Sequence, residues 1–339
     1  MTKSGSGTDF WRWGALAVLA AAPLAGMGGY LLHLLIMTLL WAFVYTGWAI
    51  MGRLGMVSLG HGAFLGIGAY TVVMGWNLFH LTPWIGTLVA LAAAAIVAIL
   101  IGYPCFRFKI VGHYFALVTL ALSEVARLVI VALRDTTGGS LGVTPLTALA
   151  GERWSLLAMQ FSSKLVWFYI MLAAWLAGLW VWTRVDRSMA RLALEAISQE
   201  EEAAASIGMN VTRLKLTVTL VSALMTCVGG VLYAQYQLYI NPETVSGIGI
   251  SLQMVFGAIA GGMFVRLGPT VGAAFTLLLA EGLRLAFGHD IHGLDTTIYG
   301  LTLVLFIIFM PKGILGAAQD AWAKSLRKRQ GVVPAKAGT

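Results

Sequence analysis

The sequence predicts an all-α protein that crosses a membrane several times, and three observations lead to that prediction. Of the 339 residues, 59% are hydrophobic and only 11% are charged, whereas a soluble domain carries about 25% charged residues. The apolar residues form runs of roughly 20, the length that a helix needs to cross a hydrocarbon core of about 30 Å. Lys and Arg are concentrated in every second connection between these runs. We therefore expect one polytopic membrane domain.

Ten apolar segments are candidate spans, and they place the transmembrane domain at residues 14–316. The spans are 14–28, 30–51, 55–75, 83–103, 112–133, 164–183, 214–237, 247–265, 269–288 and 294–311. Pro23 interrupts the first span, and the third and eighth are rich in glycine, so the expected number is about ten, within a range of eight to ten. The first span also resembles a secretory signal, with cleavage near Ala25 as the alternative to a retained anchor.

The distribution of basic residues predicts the orientation of the chain. With residues 1–13 placed inside, the connections on that side and the two ends hold 17 of the 22 Lys and Arg residues. Such an asymmetry follows the positive-inside rule and puts both termini in the cytoplasm. It also explains the net charge of +8 without nucleic acid as a partner. The tail at 317–339 is basic and rich in small residues, and we expect it to be disordered.

A charged segment at 184–215 contains ten of the 36 charged residues. Its centre has the apolar spacing of a helix from Met189, and Gly208 suits the position that ends one. Glu195, Gln199 and Glu202 line another face. An amphipathic helix resting on lipid usually carries basic residues there, so the acidic face favours a protein partner. We expect a cytoplasmic loop at 184–213 whose apolar stripe enters a groove of that partner; the stripe comprises Ala193, Ile197, Ala204 and Ile207.

The glycine-rich segment 52–70 places Ser58 and His61 at membrane depth. Glycine interruptions in spans often mark broken helices along a transport pathway. Close helix packing explains the same glycines, and for His61 we favour the role of an interior hydrogen-bonding residue. Both interpretations stay open for this segment.

Glu124 and Arg127 lie three residues apart in the fifth predicted span and can pair on one helical face. A charge at mid-span costs about 2.5–3.5 kcal/mol, so we expect both side chains to face protein or water. They either line a pathway or fix the helix register. Glu281 and Arg284 repeat the spacing near a span end, where a structural or interfacial role is favoured.

Several chemistries find no support in the sequence. A P-loop, an HExxH element and a G-x-S-x-G element are absent, so the chain has no ATPase site of its own and is not expected to be an enzyme. His289 and His292 lack a third neighbouring ligand, and we expect neither a metal site nor a cofactor. Arg266 with the Gly268-Pro269 break predicts a tight cytoplasmic turn between spans.

Three sequence blocks carry a family resemblance. They are S-L-G-H-G-A-F-L-G-I-G-A-Y at 58–70, Y-F-A-L-V-T-L-A-L-S-E-V-A-R-L at 114–128, and E-A-A-x-x-x-G at 202–208 with the following L-Y-A at 232–234. On these blocks the chain resembles the permeases of bacterial branched-chain amino acid ABC importers, the LivM type, over residues 30–316. The E-A-A element alone is shared by many ABC importer permeases.

The resemblance implies the ABC importer permease fold and a division of labour in the bacterial inner membrane. A periplasmic binding protein captures the solute, a second permease chain completes the pathway, and two cytoplasmic P-loop ATPases supply the energy for alternating access. The implied ATPase-coupling residues are Glu202, Ala203, Ala204 and Gly208. The candidate pathway residues are Ser58, His61, Glu124 and Arg127. The family also contains permeases for urea, amides and aromatic acids; outside it, an ion-coupled secondary transporter is the main alternative.

Overall fold

The computed structural model describes residues 20–21, 23, 26, 28–147, 154–188, 190–287, 294–310 and 313–319. Most of them are helical. The longer helices are α1 (Gly29–Gly52), α2 (His61–Phe79), α3 (Pro83–Arg107), α4 (Gly112–Ala132), α6 (Lys164–Arg187), α7 (Ala190–Gln199), α9 (Val211–Gln237), α11 (Gly247–Gly261), α12 (Gly268–Phe287) and α13 (Leu294–Phe309); the shorter ones are α5 (Arg134–Thr137), α8 (Glu201–Ser206) and α10 (Pro242–Val245). A two-stranded hairpin pairs β1 (Trp154–Ser155) with β2 (Gln160–Phe161).

Seven helical segments in the described residues are long and apolar enough to cross a membrane. They are α1, α2, α3, α4, α6, α9 and the segment Pro242–Gly261, which joins α10 to α11. The last two predicted spans coincide with α12 and α13, which are not among the seven. The first, 14–28, lies almost entirely outside the described residues. The all-helical polytopic prediction is confirmed, and the number of about ten spans remains a prediction.

Two predicted helices have different bounds in the structure. The third span was expected from residue 55, but α2 begins only at His61. Gly55 adopts a left-handed φ of 73° and packs against Ser198, so the chain turns before the apolar run continues. The single helix expected from Met189 to Gly208 is also wrong. It is divided at Glu200, whose extended backbone (φ −154°, ψ 105°) separates α7 from α8.

The core of the bundle surrounds α1 and α9, with 83% and 67% of their apolar stretches buried, whereas α3 and α4 bury only 28% and 22%. Close packing of α2 on α9 depends on glycine. A Cβ at Gly68 would overlap the carbonyl of Cys227, and one at Gly230 would overlap the carbonyl of Leu65. Small residues therefore let the two backbones touch, which explains part of the glycine content of 52–70.

Contacts between connections agree with an alternating arrangement of the spans. Arg53 follows α1 and its Nη2 lies 2.6 Å from Asp186 Oδ1, near the end of α6; both residues were predicted on the cytoplasmic side. On the other predicted side, Trp84 donates a hydrogen bond to the Leu156 carbonyl at 2.8 Å. The residues 262–267 form the tight turn that was expected around Arg266 between α11 and α12.

Candidate functional site

The charged segment folds back onto its own spans through its apolar side. Leu194 is 1% exposed, Ile197 5% and Ala204 3%. The prediction that the apolar stripe enters a partner's groove is therefore wrong for Ile197 and Ala204, because these side chains already pack inside this chain. Periodicity placed Ile197 and Ala204 on one covered side, but Ile207 of the same predicted stripe is 76% exposed, and the buried Leu194 lies outside that stripe.

Two ion pairs attach α8 to neighbouring spans. Lys215 Nζ on α9 lies 2.5 Å from Glu201 Oε2, and the lysine side chain is only 3% exposed. Lys109, in the connection between α3 and α4, lies 3.5 Å from Glu202 Oε1 with both side chains exposed. The first pair is short and shielded, whereas the second is screened by solvent and contributes little to stability. The helix is thus fixed at Glu201, while Glu202 stays accessible.

The four predicted coupling residues divide between two faces. Ala204 points into the chain, whereas Glu202, Ala203 and Gly208 are exposed. Gly208 has a left-handed φ of 88°, and no described atom lies within 4 Å of where its Cβ would be. Beside them, Ile207 is 76% exposed, and a cavity of about 460 Å³ opens between this segment and Phe106. Glu202, Ala203, Ile207 and Gly208 together form what we call the α8 surface.

On α7, Arg191 and Glu195 form an exposed i,i+4 pair with 2.9 Å between Nε and Oε1. The hydrogen bond that Arg191 donates to the Glu195 carboxylate raises the pKa of Arg191 above its ordinary value. Leu192 nearby is 60% exposed. The outer face of α7 therefore also combines charge with an uncovered apolar side chain.

His61 lies inside the bundle at 1% exposure with both ring nitrogens hydrogen-bonded. Its Nε2 is 2.7 Å from Ser222 Oγ and its Nδ1 is 3.1 Å from Ser58 Oγ. Ser222 donates to the Gly47 carbonyl at 2.6 Å, so Nε2–H is the donor to Ser222 and Nδ1 accepts from Ser58. The hydrogen bonds thus select one neutral tautomer. His61 and Ser58 form an interior network between α1, α2 and α9.

Glu124 stands at a break in the helical segment 242–261. Its Oε1 accepts the Ile248 N–H at 2.9 Å, and its Oε2 accepts from Arg127 Nε at 2.9 Å. Arg127 also reaches Glu243 at 3.3 Å. The carboxylate therefore caps the N-terminus of α11, where the helix dipole favours negative charge. Glu124 and Arg127 remain 26% and 27% exposed, so the pair is partly open to its surroundings.

The break itself is built from small residues. Gly247 has a left-handed φ of 87° and sits so close to Arg127 that a Cβ would lie 2.8 Å from its Cδ. Ser123 and Ser251 both donate to the Gly247 carbonyl, at 2.9 and 3.1 Å. Ser251 also accepts the Gly62 N–H at 2.9 Å. A broken helix held against a glycine face is the geometry that transporters use where backbone polar groups meet a pathway.

Sequence analysis missed several members of these networks. Ser222, Ser123, Ser251 and the amide of Ile248 are ordinary residues in apolar runs, so nothing in the sequence distinguishes them. The start of α10 was accessible, because Asn241-Pro242 is a helix-start signal, and Asn241 forms a capping box with Thr244. The structure brings His61 to Ser58 and Glu124 to Arg127 in two separate clusters. Among the described residues no group of three His, Cys, Asp or Glu is placed to hold a metal ion.

Comparison with known proteins identifies the family. The family model described as "Branched-chain amino acid transport system / permease component" matches residues 30–310. The high-affinity branched-chain amino acid transport system permease protein LivM of Escherichia coli is 27% identical over 284 residues, which cover 78% of this chain and 65% of LivM. The chain thus spans less than two thirds of the length of that relative.

A second kind of relative matches more completely. The permease protein LivH of the same system in Escherichia coli is 26% identical over 297 residues, which cover 81% of this chain and 91% of LivH. LivH of Salmonella typhimurium gives 27% over the same length. No solved structure matches the chain significantly. Because the family model covers most of its length, the chain belongs to the family of permease components of branched-chain amino acid transport systems.

Proposed function

We propose that the chain is a permease subunit of an ATP-binding-cassette importer that carries amino acids, of the branched-chain class, across the bacterial inner membrane by alternating access. The observation that carries this proposal is the family match over residues 30–310 in a chain whose helices can span a membrane. The relatives LivM and LivH are permease proteins of a high-affinity branched-chain amino acid transport system. The membrane location, with both termini in the cytoplasm, rests on the distribution of basic residues.

The α8 surface is the proposed contact with the ATPases. Glu202, Ala203 and Gly208 are accessible, and the exposed Ile207 provides the apolar anchor that a docking groove requires. Ala204 acts from the inside, because its burial holds α8 on the spans. A movement of α8 would pass to α9 through Glu201 and Lys215, since this pair is shielded from solvent. A rigid-body rearrangement of the spans is the proposed response.

The remaining partners follow from the same proposal. A second permease chain would cover part of the poorly buried α3 and α4, and a periplasmic binding protein would dock on the outer connections. The transmembrane domain at 14–316, its loop at 184–213 and the ends at 1–13 and 317–339 keep their predicted roles. Residues 313–319 are helical, so the disorder expected for 317–339 is wrong at 317–319, and 320–339 lie outside the described residues.

The proposed pathway runs past the helix break. Glu124 and Arg127 are partly exposed beside it and carry charges that a zwitterionic solute can meet. Ser58 and His61 are saturated by hydrogen bonds within the bundle, and the geometry favours a packing role for them. Their contribution to the pathway is therefore to hold α2 against α9.

The test is purification of the complex with transport in proteoliposomes. A tagged chain with Glu202→Arg and Gly208→Pro should still insert and run as a single species, but the ATPase subunits that accompany the unaltered chain should be lost. The matched control is Asp135→Arg, the same change of charge at an exposed residue on the predicted outer side. Normal complex formation by the double variant would exclude the α8 surface as the contact.

The alternative is an ion-coupled secondary transporter, and Glu124 at a helix break is the observation that favours it. Uptake of labelled leucine separates the two. An ABC importer requires ATP and its binding protein and continues after an ionophore collapses the ion gradients, whereas a secondary transporter stops. Competition by urea, amides or aromatic acids in the same assay defines the solute within the family.

A further inference from the structure

A pocket of about 330 Å³ opens on the predicted outer side, between the ends of three helices. It lies where α6 begins and α9 ends, beside the first turns of α1. Its lining includes His33, Phe161, Lys164, Trp167, Gln235 and Tyr236. Small-molecule sites have volumes from about 300 Å³ upward, apolar walls and a few polar groups, and this pocket has that composition. It shares no lining residue with the α8 surface or with the Glu124 cluster.

Gln235 is the unusual residue of the pocket. It is 1% exposed, and neither its Nε2 nor its Oε1 has a hydrogen-bond partner among the described residues. A buried polar group without a partner costs about 1–3 kcal/mol, and such groups are rare in native structures. An amide provides both a donor and an acceptor, so a polar ligand in the pocket would satisfy it.

The two ends of the pocket have opposite polarity. Lys164 is the first residue of α6, so its ammonium adds to the positive N-terminal end of that helix. It donates to the Gly29 carbonyl at 3.0 Å, and no carboxylate pairs with it among the described residues. Gln237 is the last residue of α9, whose C-terminal carbonyls favour a cation. The pocket therefore favours a ligand with an anionic and a cationic group.

Aromatic rings form a continuous wall between the two ends. Trp167 packs edge-on against Tyr236, with ring centroids 5.6 Å apart, and against Phe161 at 5.7 Å. His33 stacks on Tyr236 and bonds its hydroxyl at 2.6 Å. The indole N–H of Trp167 is also occupied, because it donates to the Phe161 carbonyl at 3.1 Å. The wall presents apolar surface to an aliphatic side chain.

We propose that this pocket binds a free α-amino acid with an apolar side chain. The carboxylate meets Lys164 and the first turn of α6, the ammonium meets the last carbonyls of α9 and the amide oxygen of Gln235, and the side chain lies on Trp167 and Tyr236. The choice of an amino acid over another zwitterion rests on the proposed function. A phospholipid headgroup with an amine shares the same chemistry, and the experiment separates the two sources.

The experiment measures binding of tritiated L-leucine to the full-length chain isolated from membranes with its co-purifying subunits, free of binding protein and ATP. The preparation is placed in nanodiscs of phosphatidylcholine and phosphatidylglycerol. We expect saturable binding and weaker competition by 4-methylpentanoate, which lacks the ammonium, and by isopentylamine, which lacks the carboxylate. Lys164→Gln should weaken binding roughly tenfold or more, as expected for a lost charge-assisted contact. Lys109→Gln, an exposed lysine on the opposite predicted side, should bind as the unaltered chain does.

Gln235→Leu provides a readout that a structural role would not produce. Because no described residue bonds its amide, the substitution should leave thermal stability unchanged or higher while leucine affinity falls. Absence of saturable binding, or binding indifferent to both substitutions, overturns the proposal. Displacement of leucine by phosphatidylethanolamine in the nanodisc assigns the pocket to a lipid headgroup and overturns it as well.

Failure of this proposal is distinguishable from failure of the importer function. If ATP-dependent uptake persists in a preparation that does not bind leucine, the pocket proposal is rejected and the importer function is retained. If a preparation binds leucine but shows no ATP-dependent uptake, the importer function is rejected and the pocket proposal is retained.

Discussion

Polar groups differ in exposure between the charged segment around α7 and α8 and the networks inside the bundle. Glu202 has an 84% exposed side chain and a loose contact of 3.5 Å to Lys109. His61 and Ser222 are almost inaccessible and are joined by a hydrogen bond of 2.7 Å. Water satisfies the first group, whereas only protein can satisfy the second in a lipid environment. Polar residues inside the bundle should therefore determine folding, and those on α8 should determine contacts with partners.

The strongest test of the bundle interior is Gly230→Val on α9. The added side chain would overlap the Leu65 carbonyl and separate α2 from α9, so we expect almost no folded protein. Size-exclusion profiles of a fluorescent fusion measure this loss. Gly282→Val is the matched control, because no described atom lies within 4 Å of a Cβ at that glycine of α12. A normal profile for Gly230→Val would show that the two helices do not pack as described.

His61→Leu should have the next largest effect. It leaves Ser58 without its acceptor and Ser222 without its donor, and an unsatisfied buried group costs about 1–3 kcal/mol. We expect a clear drop in the thermal midpoint in detergent. Adding Ser222→Ala should cost less than the sum of the two single changes, because both partners are then removed. His113→Leu, at an exposed histidine, is the control, and strict additivity would contradict the network.

Glu124 lies between the two regions in exposure, and two substitutions separate its roles. Glu124→Gln keeps an acceptor for the Ile248 N–H but loses the charge, whereas Glu124→Ala loses both. If the carboxylate serves the pathway, both variants fold and both lose uptake of labelled leucine. If it serves only the helix break, the glutamine variant keeps most uptake and the alanine variant loses folded protein. Full uptake by both variants would exclude both the pathway role and the helix-break role.

The smallest effect on stability is expected on the α8 surface. Ile207→Ser exchanges an exposed side chain, and surface changes usually alter stability by less than about 0.5 kcal/mol. The thermal midpoint should therefore stay the same, while recovery of the ATPase subunits falls. Ile197→Ser on the buried side of α7 is the matched comparison, and it should lower the midpoint. Equal effects of the two substitutions on the thermal midpoint and on ATPase recovery would contradict the distinction between the exposed and the buried face.

Much of the fold was predictable from the sequence because the membrane imposes a simple rule. Runs of about 20 apolar residues must be helices, since lipid leaves no other partner for the backbone. Seven of the ten predicted spans coincide with helical segments that meet the length and composition of a span. Interruptions were harder to place. The turn at Gly55 lies within an apolar run, and the division at Glu200 leaves Ile197 and Ala204 at helical spacing, so these patterns extended both helices too far.

Among the site residues, contacts within one helix were predictable and contacts between distant segments were not. Glu124 and Arg127 were found together because helical spacing alone brings residues three apart onto one face. Their partner, the Ile248 amide, comes from 124 residues away in the chain, and no local pattern encodes that contact. Asn241-Pro242 signalled the start of α10, but it shows neither the break after Val245 nor what lies against that break.

The sequence by itself determined the helical membrane class and the family, and it predicted the sidedness of the charges, because all three depend on composition, spacing and local blocks. Only the tertiary structure decided which polar groups meet. It turned Ile197 and Ala204 inward but left Ile207 exposed, enclosed His61 between two serines and placed Gln235 in a pocket where no described residue bonds its amide. The physical reason is that burial and hydrogen bonding depend on contacts between residues distant in the chain, and the apolar character of each helix is compatible with many such contacts.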